Sequence, residues 1–329
     1  MKAMVQNRYG PPEVLELTEL ERPAPRDDEV LVKVRAASIN EWDWGRLRGN
    51  LLVNRVMFGF LRPRKTRRII GCDISGRVES VGARVSRLQV GDDVFGDLSR
   101  SGWGGFAEYV CAREDVLATK LPAMSFEEAA AIPQAGLLAL QGLRQGGLSQ
   151  VQRVLINGAG GGVGTFAIQI AKSVGAEVTG VDSAEKLEVM RTLGADHVID
   201  YRQEDFTGLG SSYDLILEVM ARRSLSDYRR ALNPGGMCVI VGGATSVIQR
   251  SMVFGSLGEK KVKLLLHKPN VDDLARMNEL YEEGKCLPII DRSFPLAELA
   301  DAFRYYESGD HKGKLVVTMG AGHDGRPAP

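Results

Sequence analysis

A glycine-rich run lies near the middle of this 329-residue chain, between a strand-like segment and a helix-like segment. Apolar residues 154–157 precede it, and it spells A-x-G-x-x-G from Ala159, with glycines at Gly161 and Gly164. Bare glycines let the main chain approach a pyrophosphate and let the helix pack on its strand, while the helix amino terminus offers N–H groups and partial positive charge. The run predicts a dinucleotide site built from Ala159, Gly160, Gly161, Gly162, Val163 and Gly164.

An acidic residue ends the next strand-like segment. Asp182 follows Gly161 by 21 positions, about where an acid binds the adenosine ribose hydroxyls. Its charge would repel a 2′-phosphate and favours NADH, whereas Ser183, Lys186 and Tyr201 are placed to surround such a phosphate and favour NADPH. Lys186 also fits an ordinary solvated helix position. The predicted cofactor is NADPH or NADH, with the preference left open.

The segments that position these residues alternate between strand-like and helix-like patterns, which is typical of crossover units on a parallel sheet. A capping box at Ser125 and Glu128 begins the first helix. Predicted strands cover residues 154–157, 178–181, 197–199, 215–219, 237–241 and 262–266. Predicted helices cover residues 163–174, 184–193 and 224–232. Gly242 and Gly243 follow a predicted strand, and we assign them to the nicotinamide end of the cofactor site.

The two ends of the chain follow other patterns. Residues 1–124 predict short β segments separated by turns, at 30–38, 74–81 and 106–111. After Pro269 we expect a helix capped by Asn270, a strand at 289–293, a helix at 296–306, a last strand at 314–318 and a frayed tail.

The order and spacing of five motifs resemble those of medium-chain dehydrogenases/reductases, most closely the zinc-independent, quinone oxidoreductase-like branch. The motifs are GCDISGRVESVG from Gly71, GDDVFG from Gly91, GFAEYV from Gly105, the glycine-rich run, and KGKLVV from Lys312. The resemblance implies an α/β protein: a Rossmann doubly wound parallel sheet over residues 125–269, and a GroES-like, mainly-β catalytic domain over residues 1–124 and 270–329. It also implies an active site in the cleft between them, a preference for NADPH, and a homodimer formed through Rossmann sheet edges.

Departures from the zinc-dependent members predict a site without metal. Their first catalytic ligand, a cysteine, is replaced by Asn40, and their Gly-His-Glu becomes Gly71-Cys72-Asp73. The relay hydroxyl becomes Trp42, and residues 90–115 contain a single cysteine in place of a structural-zinc cluster. A catalytic zinc needs three protein ligands, and Cys72 and Asp73 alone do not supply them.

A reaction without metal needs other groups to stabilise charge on the substrate oxygen. The family lines its nicotinamide pocket with an Ile-Asn-x-x-Asp run, so we name Asn40, Asp43 and Trp44 as catalytic candidates. The Asn40 amide would donate to a substrate oxygen or position the nicotinamide, Asp43 would orient its neighbours, and Trp44 would form a wall. The alternatives are that Asn40 and Asp43 cap the following helix, and that Trp44 is an ordinary core aromatic.

Two further segments lie where the family approaches its ligands. Residues 133–138 would lie against the nicotinamide, with Leu138 where many relatives have threonine. Residues 50–68 combine apolar side chains (Leu51, Leu52, Met57, Phe58, Phe60) with a basic run (Arg62, Arg64, Lys65, Arg67, Arg68). This insert predicts a substrate lid or a site for an acidic ligand, and the alternative is a solvated surface loop.

Composition excludes several classes of protein. The 42 basic and 42 acidic residues give no net charge, which argues against nucleic-acid binding. Four widely spaced cysteines predict reduced thiols rather than disulfides or zinc knuckles. The uncharged run 154–171 is interrupted by glycines and polar residues, so we expect no membrane span, and the amino terminus lacks a signal-peptide pattern. We therefore expect a cytoplasmic protein.

These observations predict a zinc-independent, NAD(P)H-dependent oxidoreductase that transfers hydride to a quinone, an enone or another activated carbonyl. An NAD(P)-dependent alcohol dehydrogenase is the neighbouring alternative, disfavoured by the missing zinc ligands and relay hydroxyl. An alternative of another class is a nucleotide-binding structural or RNA-associated protein resembling crystallins. The natural substrate and the physiological direction are not fixed by the sequence.

Overall fold

The computed structural model describes residues 1–50, 55–56, 58–64, 67–150, 152–210 and 212–320. They form two compact units. The first contains Met1–Gln134, Pro269–Asn278 and the chain from Ile290 onward, and the second contains Ala135–Lys268 and Glu279–Ile289. Relative to the domain boundaries expected from the sequence, residues 125–134 lie with the first unit and residues 279–289 with the second.

Strands dominate the first unit and form the centre of the second. In chain order they are β1 (Lys2–Gln6), β2 (Leu15–Glu19), β3 (Glu29–Ser38), β4 (Asp73–Val81), β5 (Asp93–Asp97), β6 (Tyr109–Arg113), β7 (Leu117–Thr119), β8 (Arg153–Asn157), β9 (Glu177–Asp182), β10 (His197–Asp200), β11 (Tyr213–Glu218), β12 (Leu232–Ile240), β13 (Lys261–Leu264), β14 (Ile290–Pro295) and β15 (Lys314–Thr318).

The described residues form the following α-helices, four of which lie between strands of the second unit. They are α1 (Glu41–Arg48), α2 (Phe126–Ala131), α3 (Pro133–Gln145), α4 (Gly162–Ser173), α5 (Leu187–Thr192), α6 (Leu225–Ala231), α7 (Thr245–Phe254), α8 (Val271–Glu282) and α9 (Leu299–Ser308). None of them is long and apolar enough to cross a membrane.

The second unit is built on a six-stranded parallel sheet in the order β10-β9-β8-β11-β12-β13. Its inner strands are almost fully buried, as expected when helices cover both faces of a parallel sheet. The strand order reverses at β8, and the carboxyl ends of all six strands lie along one edge. This arrangement confirms the predicted doubly wound sheet, whose ligand site is expected at that reversal.

The first unit is mainly β. Its large sheet follows the order β14-β15-β3-β4-β5-β7, with β6 paired to β3, and β1 and β2 form a separate antiparallel pair. β15 pairs with β3 through Val316 opposite Ser38, so the two ends of the chain meet in one sheet. The core includes the aromatic side chains of Phe106 and Phe303, whose rings pack edge to face. These features confirm the GroES-like architecture.

Several elements differ from the sequence-based prediction. α3 and α7 were not predicted, the predicted strand at 106–111 begins only at Tyr109, and a 3₁₀ turn (Ala184–Lys186) takes the first part of the predicted helix at 184–193. The glycines of α3 lower its helix propensity, but Gly142 has a packing reason. A Cβ there would lie 2.6 Å from Leu217 Cδ1, so the missing side chain lets α3 approach β11.

Candidate functional site

The glycine-rich turn lies between β8 and α4, at the carboxyl edge of the parallel sheet. A Cβ on Gly164 would lie 2.2 Å from the Gly158 carbonyl oxygen and 2.4 Å from the Ala159 Cα, so this glycine lets α4 pack on the turn. A Cβ on Gly161 would meet only one atom, at 3.7 Å. Gly161 is the N-cap of α4 in an extended conformation, without a side-chain cap. The main chain there faces open space at the amino end of a twelve-residue helix.

Asp182 ends β9 and holds the turn in place. Its Oδ2 accepts a hydrogen bond from the Gly160 N–H at 2.9 Å, and its Oδ1 accepts one from the Ser183 N–H at 2.9 Å. The Lys186 ammonium lies 3.8 Å from Oδ1. Lys186 is only 6% exposed, and its stem occupies the space that a Cβ on Gly160 would need. The structure therefore corrects the alternative of a solvated Lys186, because this lysine is buried and paired with Asp182.

The remaining predicted cofactor residues lie along the same edge. Tyr201 follows β10, is half exposed, and donates its N–H to the Asp182 carbonyl at 3.2 Å. Gly242 and Gly243 follow β12. Gly243 has φ +132°, and a Cβ on it would lie 2.4 Å from Ala221 N, so close backbone contact explains this glycine. Its assignment to the nicotinamide end stays a prediction.

Glu218 was missed by the sequence analysis. It ends β11 directly opposite Asn157 of β8, and its Oε1 accepts hydrogen bonds from Asn157 Nδ2 at 2.7 Å and from the Met220 N–H at 3.0 Å. Burial raises the pKa of Glu218 to about 7. An acidic residue ending a run of apolar strand residues was the available signal.

In the first unit, Asn40 and Asp43 lie at the start of α1. The Asp43 carboxylate accepts from the Asn40 N–H at 2.9 Å and from the Gly71 N–H at 3.0 Å, so it ties the helix start to the loop before β4. Asn40 and Asp43 form a capping box at the start of α1, and the Asn40 side chain also makes contacts outside the helix. Its Nδ2 donates to Asp73 Oδ2 at 2.9 Å and lies 3.4 Å from Cys72 Sγ. Asp43 thus acts as a cap, and Asn40 belongs to a buried polar cluster.

Lys314, the first residue of β15, completes that cluster. Its ammonium donates to the Asn40 Oδ1 and to the Ile39 carbonyl at 3.1 Å, and it lies 3.8 Å from Asp73 Oδ2. Asp73 also accepts from Ser38 Oγ at 3.2 Å and from the Gln134 N–H at 3.1 Å. This buried network joins β3, β4, β15 and the start of α3.

Burial controls the ionisation of the cluster. It raises the pKa of Asp43 to about 7, and the nearby charge of Asp73 adds to the increase. Burial also raises the pKa of Asp73, which the Lys314 ammonium partly offsets. The same burial lowers the pKa of Lys314 and raises that of the Cys72 thiol.

Trp44 lies apart from this network. Its indole N–H donates to Glu307 Oε1 at 2.7 Å, and the half-buried ring packs against the core of the first unit. The observed contacts are those of the core-aromatic alternative, and its role as a pocket wall stays a prediction.

The insert at 50–68 is described only in part, since Leu51, Leu52, Met57 and Lys65 lie outside the described residues. Phe58 is buried and packs edge to face on Trp103, with the Arg46 guanidinium 4.2 Å from the Phe58 ring. Phe60 and Leu61 are exposed, at 62% and 83%. A solvated loop therefore does not describe the Phe58 part of the insert, which is anchored in the unit.

Lys314 was quoted in the sequence analysis only as part of a motif. Its main partner, Asn40, lies 274 positions away, so no local pattern shows the contact. The available signal was a lysine at the start of a strand, directly before the apolar residues Leu315 to Val317. Asp73 was likewise named for another reason, and Gln134 lies within the segment 133–138 that was assigned to the nicotinamide.

Comparisons with known proteins cover nearly the whole chain. Residues 26–123 match the family model of the alcohol dehydrogenase GroES-like domain, and residues 193–317 match that of zinc-binding dehydrogenases. The chain is 33% identical to the 2-methylene-furan-3-one reductase of Solanum lycopersicum and 33% identical to the chloroplastic NADPH-dependent alkenal/one oxidoreductase of Arabidopsis thaliana. Each alignment covers 96% of the chain and 79% of the relative. The solved quinone oxidoreductase of Coxiella burnetii superposes with a TM-score of 0.88 at 33% identity, covering 97% of this chain and 99% of that one.

Proposed function

We propose a reaction for this chain, which belongs to the medium-chain dehydrogenase/reductase superfamily and, within it, to the quinone oxidoreductase-like branch. The reaction is the NAD(P)H-dependent reduction of a small molecule with a conjugated carbonyl, an enone or a quinone. The relatives are named for such substrates: an alkenal or alkenone, a methylene-furanone and a quinone.

The turn at Gly161 is the observation that carries the proposal. A Cβ on Gly161 would meet almost nothing, whereas a Cβ on Gly164 would meet main chain. The open position fits a pyrophosphate, which would receive the N–H groups and partial positive charge of α4.

Reduced nicotinamide, when bound, supplies the hydride, and the substrate oxygen gains negative charge. We assign Asn40 and Asp43 to the orientation of the groups around that oxygen. Both polar atoms of the Asn40 amide have protein partners, so direct donation to a substrate requires exchange of one of these bonds. Asp43 fixes the helix that carries Asn40 and Trp44.

We propose NADPH as the preferred cofactor. The Lys186 ammonium beside Asp182 offsets the charge that would repel a 2′-phosphate. Ser183 donates its N–H to the same carboxylate, and Tyr201 donates its N–H to the Asp182 main-chain carbonyl. A relative named as NADPH-dependent supports this preference.

We further propose that catalysis needs no metal, that the chain forms a homodimer through β13, and that it acts in the cytoplasm. β13 is the last strand of its sheet, so one of its edges is unpaired within the sheet. Such a strand supports edge-to-edge pairing between two copies. One of the relatives is named as chloroplastic, so the location of this protein has to be measured directly.

Initial rates test the proposed reaction. The purified protein is assayed with NADPH and with NADH against a panel of quinones, enones and saturated ketones, with and without EDTA. We expect nucleotide oxidation with quinones or enones, a higher kcat/KM for NADPH, and no effect of EDTA. Absence of turnover across the panel would overturn the reaction, and loss with EDTA that zinc restores would overturn its independence of metal.

A further inference from the structure

A metal site would have to form around Cys72 in the first unit. Cys72 Sγ and carboxylate oxygens of Asp73 and Asp97 lie within 4.8 Å of one another, and all three residues are buried. A thiolate and two carboxylates are a chemically suitable set for a divalent metal such as zinc. The positions of zinc ligands in the zinc-dependent members fall on two cluster residues, Asn40 and Cys72.

The neutral donors around this set do not by themselves exclude a metal. The Asn40 and Gln134 amide nitrogens lie 3.4 and 3.5 Å from Cys72 Sγ, and N–H groups directed at sulfur are compatible with a metal-bound thiolate. Asp73 accepts hydrogen bonds from Asn40, Ser38 and Gln134, but a carboxylate offers about four lone pairs, so it keeps acceptor capacity. Asp97 Oδ1 accepts from the Ser99 N–H at 2.7 Å.

A positive charge is already present. The Lys314 ammonium lies 3.8 Å from Asp73 Oδ2, with both residues almost completely excluded from solvent. Two unit charges of like sign a few ångströms apart in a buried site repel strongly, because water does not screen them. A divalent metal bound by Asp73 would have to displace or discharge Lys314.

We propose that Lys314 is the built-in cation of this cluster and keeps divalent metals out of it, so that removing its charge converts Cys72, Asp73 and Asp97 into a metal site. Lys314 is thus a positioning residue, which holds Asp73 and Asn40 in the places they need. This inference rests on the proposal that catalysis needs no metal. Its test measures metal binding and unfolding rather than turnover, so it can fail independently of the proposed reaction.

Cobalt(II) is the probe, because a thiolate ligand gives it a characteristic charge-transfer absorption. We compare wild type, Lys314→Met, Lys314→Arg and the double variant Lys314→Met/Cys72→Ser, each titrated with cobalt chloride near neutral pH. We expect Lys314→Met to bind about one cobalt per chain with the thiolate band, at least about tenfold more tightly than wild type (about 1.4 kcal/mol). Lys314→Arg keeps the charge and is expected to behave as wild type, and the double variant is expected to lose the band.

Two results would overturn the proposal: a thiolate band in wild type at the cobalt concentrations that load Lys314→Met, or a folded Lys314→Met without the band. Unfolding provides an independent check if Lys314→Met is too unstable to titrate. Lys314→Met is expected to lower the Tm by on the order of 10 °C, since it leaves Asp73 buried without its cation. Asp73→Asn/Lys314→Met is expected to recover most of that loss. A double variant no more stable than Lys314→Met would refute the charge pairing.

Discussion

Lys186 and Asp182 form an ion pair beside the glycine-rich turn, and we expect the two residues to act on the cofactor in opposite directions. The carboxylate holds the turn through the Gly160 N–H, and the ammonium offsets its charge. The spacing of Asp182 from the turn was enough to predict its place. The burial of Lys186 was not predictable, because it depends on the missing side chain of Gly160 against which the lysine stem packs.

Replacement of this lysine tests the cofactor preference. Lys186→Met keeps most of the buried stem and removes the charge, so Asp182 would repel a 2′-phosphate. We expect KM for NADPH to rise about tenfold, which corresponds to about 1.4 kcal/mol, with little change for NADH. Arg191→Met, at an exposed ion pair with Glu188 on α5, is the control and should affect neither. Equal losses with both nucleotides would argue against a 2′-phosphate contact.

Glu218 makes stability depend on pH. Its pKa is about 7 in the folded protein against 4.5 as the ordinary value, so the folded state holds an extra proton between these values. Wild type therefore loses stability as pH rises through this range. Glu218→Gln does not titrate and keeps an oxygen for Asn157. We expect it to be more stable than wild type above pH 7 by at most about 3 kcal/mol, with the advantage shrinking towards pH 4.5.

Urea unfolding at several pH values between about 5 and 8 measures this difference. Glu188→Gln is the control, since that carboxyl is 81% exposed and its loss should leave the pH profile as in wild type. A constant difference between Glu218→Gln and wild type across the range would show that Glu218 titrates normally.

At the scale of elements, the turn between β8 and α4 contains two glycines with different roles: Gly164 is needed for packing, and we expect Gly161 to face the ligand. Gly161→Ala places a methyl group in open space, in a backbone conformation that alanine adopts freely. Gly164→Ala drives a methyl group into the main chain of Gly158 and Ala159. We expect Gly161→Ala to retain the wild-type Tm but to lose at least about tenfold in nucleotide affinity, because its methyl group takes the space of a phosphate.

Gly164→Ala is the matched comparison, and we expect it to be destabilised by about 2 kcal/mol or more because the backbone must shift. Thermal unfolding and nucleotide titration of both variants, followed by protein fluorescence, give the result. Unchanged nucleotide affinity in Gly161→Ala would mean that the open position is not the phosphate site.

The helices and strands also show how much secondary structure the local sequence predicts. Strands β8, β9 and β13 were predicted closely, because their apolar runs are bounded by glycine, polar or charged residues. α3 and α7 were not predicted. The two glycines of α3 lower its helix propensity, and α7 buries mainly Val247 and Ser251 while the apolar side chains of Met252, Val253 and Phe254 are exposed.

At the scale of the whole molecule, the long-range pairing of β15 with β3 creates the buried cluster around Asp73. The family resemblance implied that the two chain ends belong to one domain. Composition and periodicity alone did not predict this. The first compact unit contains a mainly antiparallel sheet, and the second contains a parallel sheet.

The unpaired edge of β13 predicts the oligomeric state. Each chain has a mass of 35.8 kDa, so we expect light scattering after size exclusion to give about twice that value. Leu266→Glu adds a charge just beyond β13 at a side chain that is 69% exposed, and we expect it to shift the protein towards monomer. Val174→Glu, exposed after α4, is the control. A wild type that elutes as a monomer at all concentrations would contradict pairing through this edge.

The central claim is that a nicotinamide nucleotide, held by its pyrophosphate at the Gly161 turn, delivers hydride directly to a conjugated acceptor. Its most direct test is mass spectrometry of the product formed from an enone and NADPH carrying deuterium at the transferred position of C4, with EDTA present. The account predicts one deuterium per product molecule, on the carbon β to the carbonyl, and at least about tenfold less labelled product from Gly161→Ala than from wild type at subsaturating nucleotide. Product without the label, or nucleotide that stays reduced beside every enone and quinone, would contradict it.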